Sequence, residues 1–285
     1  MIAAAIVAAT LHAAPPPPVD RAAGRRGAAY LAAQAPGSEL GAEADSVLAL
    51  VAAGRTPGAH LARLIALVPS QTGTTGLAAK AALAVVAAGL NPRCTAGVDL
   101  VARIRAGYAS GVYGATVFED SLAITALAGA GEPVPQAALA ELRRLRGSGG
   151  YGLSIDGGPD DADDTGMALM ALRAAGAPVS DPAVRGSVRW LLQQRLPGAG
   201  WAGAAGSSTV SDSTALALRG LTAAGSGWPA GAAQALRRLQ EADGGFDATA
   251  GAPGSRLIAT LDSTPALFRR TLPLVRRTTP GHACG

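Results

Sequence analysis

Stretches of almost wholly apolar residues alternate along the chain with segments that carry charge on one face only. The apolar stretches include 121–130, 165–175 and 213–224, and the amphipathic ones include 136–146, 182–194 and 230–240. A helix that is apolar on every side is expected to be buried on every side, whereas an amphipathic helix covers a core with one face. The pattern therefore predicts inner helices that alternate with outer helices.

Five of the apolar stretches end in the same way, with two small residues followed by a glycine. These glycines are Gly54, Gly89, Gly131, Gly176 and Gly225. They are spaced 35, 42, 45 and 49 residues apart, and a proline follows each within a few residues. Glycine with proline just beyond it is the usual signature of a helix end. A repeat of this length indicates stacked helix pairs, and about six pairs fit the chain. We therefore predict an all-α fold, an α/α toroid of inner and outer helix layers.

The composition argues against several classes of protein. With 49% hydrophobic and 15% charged residues among 285, the chain differs from disordered sequences, which are polar and highly charged. No apolar run is long enough to predict a membrane-spanning helix. The net charge is only +4 and the arginines are scattered, which argues against a nucleic-acid partner. The expected organisation is a proline-rich linker over 15–22, one toroid domain over 23–275 and a tail over 276–285.

The first 14 residues are typical of an export signal. An apolar core from Ile2 to Leu11 precedes a small-residue cleavage site. The prediction is a signal peptide over 1–14 and a secreted or extracytoplasmic protein. Export would permit a disulfide between the two cysteines, Cys94 and Cys284, and the alternative is two unpaired thiols.

A second repeated phrase follows the predicted outer helices. Gln240 to Phe246 reads as a glutamine, three residues, a glycine, one further residue and an aromatic residue, and variants end at Trp201 and Tyr151. This phrase resembles the repeat of squalene cyclases and of the wider prenyltransferase and terpenoid-cyclase toroid superfamily. The resemblance covers residues 22–270 and implies the same toroid. The residue-level alternative is structural, with the amide holding a helix end and the ring filling a joint between repeats.

The densest chemical signal is an acidic stretch from Asp156 to Thr165. Within it, Asp161-Ala162-Asp163-Asp164 matches the DxDD motif of class II terpene cyclases. That resemblance implies that Asp163 protonates an alkene or epoxide and that Asp161 and Asp164 tune its acidity. The chemistry requires crowding, because neighbouring carboxylates cannot all ionise and one of them keeps its proton.

Helix capping offers a simpler interpretation of part of this stretch. An aspartate followed by serine or threonine recurs near the start of five predicted inner helices, at Asp45, Asp120, Asp164, Asp212 and Asp262. Aspartate is a preferred N-cap and suits the positive end of the helix dipole. Asp164 is then expected to cap its helix, and the inner helices would present a ring of carboxylates and hydroxyls at one mouth of a central funnel.

Two features favour binding over catalysis. The chain has only ten aromatic residues to face a carbocation, and its length provides one toroid where class II cyclases place their site between two. Asp164 to Leu172 also resembles a repeat in the helical domain of extracellular cobalamin carriers. That resemblance implies a corrinoid ligand at the mouth and a separate β-rich domain or transporter subunit as partner.

The sequence thus predicts an exported toroid that binds a small molecule, a corrinoid or an isoprenoid, in its funnel. The alternative is a class II terpene cyclase that starts its reaction from Asp163, with Asp161 and Asp164. The candidate ligand-binding residues are Asp120, Asp156, Asp160, Asp164, Asp212, Tyr113, Tyr151 and Trp201. No metal site is predicted, since the histidines are isolated; a loose Ca²⁺ site in the acidic stretch remains open, although it lacks EF-hand spacing.

Overall fold

The computed structural model describes residues 15–203, 206 and 208–275, and within them it contains twelve α-helices and no extended strand. The predicted signal peptide and Cys284 lie outside these residues. The odd-numbered helices are α1 (Pro18–Ala33), α3 (Gly58–Gln71), α5 (Leu100–Ala106), α7 (Gln136–Arg144), α9 (Pro182–Gln193) and α11 (Ala232–Arg237). The even-numbered helices are α2 (Leu40–Ala52), α4 (Thr75–Ala87), α6 (Val117–Gly129), α8 (Ala162–Ala174), α10 (Ser211–Ala223) and α12 (Arg256–Leu267).

The even-numbered helices form a closed inner ring. Each packs against the next, and α12 completes the ring by packing against α2. The odd-numbered helices pack outside them, which confirms the predicted toroid of six helix pairs. None of the described helices is both long and apolar enough to cross a membrane. Helix α1 begins at Pro18, ahead of the domain boundary predicted at residue 23.

The predicted helix ends are confirmed. Five inner helices stop just before the glycine of the repeated phrase, and each of these glycines has a positive φ, between 68° and 89°. This left-handed conformation is strained for residues with a Cβ, so the repeated glycine is a requirement of the helix exit. The sixth inner helix, α12, ends without glycine, and Arg269 takes the left-handed conformation there.

The predicted helix starts are wrong. The recurring aspartates lie inside the inner helices, because each helix begins upstream of its aspartate. The side chains that cap these helices are Thr74, Thr116, Asp161 and Ser255, whereas α2 and α10 have no side-chain cap. Several residues near each start can cap a helix, and the chain uses an earlier one, which lengthens the helix and places the aspartate within it.

Buried aromatic residues join successive repeats. The backbone N–H of Tyr151 donates to Thr165 Oγ1 at 2.8 Å, and the same bond joins Trp201 to Thr214 and Phe246 to Thr260. All three rings are essentially inaccessible to solvent. Each ring therefore fills the joint between an outer helix and the following inner helix, as the structural interpretation of the repeated phrase predicts.

The last outer helix is fastened to the first. Arg237 of α11 forms an ion pair with Asp20 of α1. The amide of Gln240 donates to the backbone oxygen of Ala23 at 2.9 Å and accepts a hydrogen bond from Arg26 at 2.5 Å. These contacts close the outer layer where the two ends of the domain meet.

The segment after α12 covers one end of the inner ring. Leu272 donates its backbone N–H to the Sδ of Met170 at 3.5 Å, and Pro273 packs against Gly129 at the end of α6. The guanidinium of Arg269 lies over the ring of Trp228, 4.4 Å from its centroid. The segment after α12 thus reaches across the ring to α6 and α8.

Helices α8 and α10 approach each other through two glycines. A Cβ on Gly220 would lie 2.7 Å from the Cα of Gly166, and a Cβ on Gly166 would lie 2.4 Å from the backbone oxygen of Leu216. Backbone atoms cannot move aside as a flexible side chain can. This close approach fixes the distance between α8 and α10.

Substituting Gly220→Ala is expected to destabilise the fold, because overpacking typically costs about 1–3 kcal/mol and outweighs the gain in helix propensity. Gly41→Ala is the matched control, since its Cβ would meet only the side chain of Leu77 at 3.7 Å. Urea unfolding of both variants measures the difference. Equal stability of the two variants would contradict the role given to the glycine contact.

Candidate active site

The DxDD motif begins α8 at the open end of the inner ring. Asp161 is the N-cap, and its side chain accepts a hydrogen bond from the backbone N–H of Asp164 at 2.8 Å. Asp163 and Asp164 follow in the first turn of the helix. The prediction that Asp164 caps the helix is therefore wrong: Asp161 is the cap, and the two following carboxylates are left for other roles.

Asp163 is a shielded carboxyl group on the inner side of α8. The Ser213 side chain on α10 lies close enough to favour its charged form, while its Oδ1 is buried without a hydrogen-bond partner among the described residues. Burial raises the pKa of Asp163 to about 7, and the nearby charges of Asp212 and Asp161 act in the same direction, against the Ser213 hydrogen bond. This carboxyl group can hold a proton near neutral pH.

Asp164 reinforces this effect. Burial, followed by the charge of Asp161 and a hydrogen bond to it, raises the pKa of Asp164 well above its ordinary value. The charge of Asp163 acts in the same direction. Carboxyl groups this close titrate as a unit, so the proton belongs to the cluster as much as to either residue. A cluster of three carboxyl groups at neutral pH therefore retains acid protons in a site shielded from bulk water.

The stability of the protein is expected to fall as the pH rises from about 4 to about 8. Burial raises the pKa of Asp120 to about 6 and that of Asp262 to about 7, as it does for Asp163. Below these values the folded state holds protons that the unfolded chain has already lost, so the stabilisation is lost as pH rises through the folded-state pKa. Thermal unfolding across this range measures the effect, and Asp164→Asn is expected to flatten the profile. A Tm that rises with pH would contradict the assignment.

A second group of charges crosses the centre of the ring. Lys80 on α4 forms an ion pair with Asp45 on α2 at 2.5 Å, and Arg219 on α10 contacts Asp262 on α12 at 3.4 Å. Burial opposes the charge on Lys80, but Asp45 keeps the pKa of Lys80 above its ordinary value. Because α4 and α10 occupy opposite sides of the ring and their cations still affect each other, these side chains lie near its axis. We call these four residues the axial cluster.

The centre of the ring contains accessible space. The side chains of Lys80, Asp45 and Asp262 keep 25%, 31% and 27% of their surface although inner helices surround them. The sequence does not mark the axial cluster as a group. Two signals were present: Lys80 is the only lysine of the chain, and Arg219 interrupts an otherwise apolar helix. The local pattern does not show which carboxylate each cation meets, because the partners are 35 and 43 residues away.

The other predicted binding residues are distributed differently. Tyr113, Tyr151 and Trp201 are buried in the joints between repeats, with 2%, 0% and 1% of their surface exposed. Asp120 accepts a hydrogen bond from the backbone of Tyr113, while Asp160 accepts from Ser148 and Gly150. Asp156 is exposed in the loop before α8. Of the predicted residues, the structure brings Asp161, Asp163, Asp164 and Asp212 together at the junction of α8 and α10.

Metal binding finds no support in the part of the chain that the structure describes. No group of three or more histidine, cysteine, aspartate or glutamate side chains is arranged there to hold an ion.

No family model and no curated protein matches the sequence. Among solved structures, the chain is similar to the type II terpene cyclase MstE from Scytonema in complex with geranylgeranyl dihydroxybenzoate, with a TM-score of 0.69 and 14% identity over 88% of this chain and 97% of that one. It is also similar to a protein from Actinoplanes, with a TM-score of 0.67 and 16% identity over 88% and 99% of the two chains.

A further similar structure is an inactive α-1,6-mannanase variant from Salegentibacter, with two consecutive aspartates changed to asparagine, in complex with α-1,6-mannotriose. Its TM-score is 0.61 at 9% identity, over 88% of this chain and 98% of that one. Identities this low show the fold and leave the reaction open. The chain therefore has an α/α-toroid fold, as the sequence predicted.

Proposed function

We propose that this protein is a class II terpene cyclase, an isomerase that starts the cyclisation of an isoprenoid by protonating an alkene. The observation that carries the proposal is the state of Asp163: a shielded carboxyl group with a pKa near 7 and one oxygen without a partner. An acid with a pKa near the working pH combines a large protonated fraction with a strong driving force for proton transfer.

The different positions of the three aspartates in α8 support this role. Asp161 is occupied as the N-cap of α8, which leaves Asp163 and Asp164 as the groups that share protons. Asp163 donates its proton to one carbon of the alkene, whose electron pair forms the new C–H bond. The other carbon becomes cationic and is attacked by the next double bond of the same substrate. Ring closure then needs no metal and no leaving group.

The structural comparison supports the substrate class. The MstE structures contain a geranylgeranyl dihydroxybenzoate substrate or a product, merosterolic acid A, in a toroid that aligns with nearly nine-tenths of this chain. We infer that a prenylated small molecule enters this chain at the mouth where α8 and α10 begin. From the apolar core of residues 1–14 we further propose that the reaction takes place outside the cytoplasm.

The direct test is turnover by the purified protein in D₂O. Geranyl, farnesyl and geranylgeranyl diphosphates and squalene are incubated separately, and the products are identified by mass spectrometry. We expect a cyclic isomer that has gained one deuterium and, for the diphosphates, has released no pyrophosphate. Pyrophosphate release would indicate ionisation of the leaving group instead of protonation, and would contradict the proposal, as would the absence of any cyclic product from the four substrates.

Glycoside hydrolysis is the second candidate function. Asp163 and Asp164 are consecutive carboxyl groups, as are the two aspartates changed in the inactive mannanase variant, and the axial cluster makes the central space polar. Glycosidases usually act through a pair of carboxyl groups, one of them protonated and the other ionised. Release of reducing sugar from an α-1,6-mannan, measured on the same preparation, would favour this candidate over the cyclase.

A further inference from the structure

The axial cluster faces the central space of the ring. In the middle of α2, α4 and α12, one charged residue is accessible while the two residues on either side of it along the helix are buried. These charged residues are Asp45, Lys80 and Asp262. Each of the three helices packs between two other inner helices, with outer helices behind it. The access of these side chains therefore comes from the central space, where a ligand can reach them.

The axial cluster also lies deeper in the ring than the acid. Asp163 precedes the glycine at the exit of its helix by 13 residues, whereas Asp45 and Lys80 precede theirs by 9 and Arg219 precedes its own by 6. At about 1.5 Å per residue, this difference places the cluster about 6–10 Å below Asp163. A chain of two isoprene units can span such a gap.

Arg219 has a hydrogen-bond donor that the protein does not use. Its side chain is 6% exposed, and its Nη1 donates to Asp262 Oδ1 at the long distance of 3.4 Å. Its Nε has no partner among the described residues. A buried donor without an acceptor is costly, and the carboxylate that Arg219 contacts opens to the central space. An oxygen atom of a ligand in that space would satisfy the free donor.

Stability alone does not account for the axial cluster. Apolar residues in place of a buried ion pair are often neutral or stabilising, so the fold gains little from keeping two such pairs inside the ring. A cluster that is reached from the central space and still has a free donor is better explained by a ligand.

The balance of charges in the axial cluster indicates the kind of group that binds. Lys80 and Arg219 match Asp45 and Asp262, so the cluster has no net charge when all four groups are ionised. An additional ion would remain without a counterion in a shielded site, which is costly. A hydroxyl group fits better, because its oxygen accepts from a cation while its proton is donated to a carboxylate.

We propose that the axial cluster binds a hydroxyl group of the ligand, so that the lumen favours an isoprenoid alcohol. The inference rests on the proposed cyclase function and specifies its substrate class. The hydroxyl end of the substrate lies between Arg219 and the carboxylate of Asp262, and the apolar chain rises from there toward the mouth. The alkene at the far end of the chain then lies against Asp163, which protonates it.

Binding of three ligands that share one chain tests the subsite without turnover. Geraniol, the hydrocarbon 2,6-dimethylocta-2,6-diene and geranyl phosphate are each equilibrated with the wild type by dialysis and quantified by mass spectrometry. We expect geraniol to bind about tenfold more tightly than either of the other two. Tighter binding of geranyl phosphate would make the cluster an anion site and overturn the proposal, as would equal binding of geraniol and the hydrocarbon.

The double variant Arg219→Met with Asp262→Leu removes one side of the subsite. Its affinity for geraniol is expected to fall about tenfold, while its affinity for the hydrocarbon stays the same. The matched control is Arg144→Met with Glu141→Leu, which removes an exposed ion pair of α7 and should leave both affinities unchanged. Equal losses for geraniol and the hydrocarbon in the axial double variant would overturn the assignment.

Two further results separate this proposal from a loss of structure and from the cyclase function. Arg219→Lys keeps a charge opposite Asp262 but lacks the Nε–H donor, so it should also lose the preference for geraniol if the double variant does not fold. An unchanged preference in Arg219→Lys would contradict the role of that donor. If the wild type forms no cyclic product but prefers geraniol, the cyclase function fails and the subsite stands; cyclic products without that preference would have the opposite meaning.

Discussion

Replacing Asp163 with asparagine is expected to lower the rate of cyclisation about 10²–10⁴-fold, the usual contribution of a positioned general acid. Asparagine has nearly the same shape as aspartate, but its amide cannot donate a proton to an alkene. Because the substitution leaves the joints and caps of α8 untouched, substrate affinity is expected to change little. The Tm is expected to change little at about pH 5, where Asp163 is already protonated in the folded state. The measurement is steady-state turnover with the substrate identified in D₂O, together with a thermal melt.

Two controls separate the loss of the acid from a loss of structure. Glu241→Gln removes an exposed carboxylate and should leave turnover unchanged. Asp161→Asn keeps an oxygen that can cap α8 while it removes a neighbouring charge, so a partial loss of activity is expected there. Turnover by Asp163→Asn within tenfold of the wild type would refute the assignment of Asp163 as the acid.

Replacing Arg219 with methionine is expected to destabilise the fold by about 3–5 kcal/mol, the usual cost of removing one partner from a buried ion pair. The substitution leaves Asp262 with Asp45 and Asp212 as neighbouring charges, and only Lys80 remains to balance them. Burial already raises the pKa of Asp262 to about 7 with Arg219 in place, so the loss should be greater above that pH than below it.

The double variant Arg219→Met with Asp262→Leu tests the cause. Removing both charges eliminates the uncompensated carboxylate, and apolar replacements of buried pairs are often neutral or stabilising. We therefore expect the double variant to recover most of the lost stability in urea unfolding at about pH 8. If the double variant is as unstable as the single one, packing by Arg219 is the cause, and the electrostatic explanation is wrong.

Regular features of the fold could be predicted because they depend on local physics. A glycine follows five of the inner helices because the chain takes a left-handed conformation there. The predicted outer helix 182–194 matches α9 (Pro182–Gln193) to within a residue. The repeated aromatic residues could be recognised as joints for the same reason. Each is followed about 14 residues later by the threonine whose hydroxyl accepts its backbone N–H.

The helix starts and the axial cluster could not be predicted in this way. Near the start of α8, Asp161, Asp163 and Asp164 can each serve as a cap, and only the packing of the helix decides among them. The pairing of Lys80 with Asp45 depends on which helices become neighbours once the ring has closed. The DxDD motif was located from the sequence, but the partner of its acid, Ser213, lies 50 residues away and becomes visible only where α8 meets α10.

The fastening of α11 to α1 has a consequence for how the molecule unfolds. An open array of helix pairs has two ends, can fray from either of them, and gains or loses repeats at a roughly constant cost per repeat. This ring has no free end, because Arg237 and Gln240 hold the first helix against the last outer one. Its helix pairs therefore cannot be separated from one another, and their number cannot change without affecting the whole ring. If one helix pair were lost, two helix faces would be left uncovered. The remaining five helix pairs could cover these faces only if the curvature of the whole ring changed.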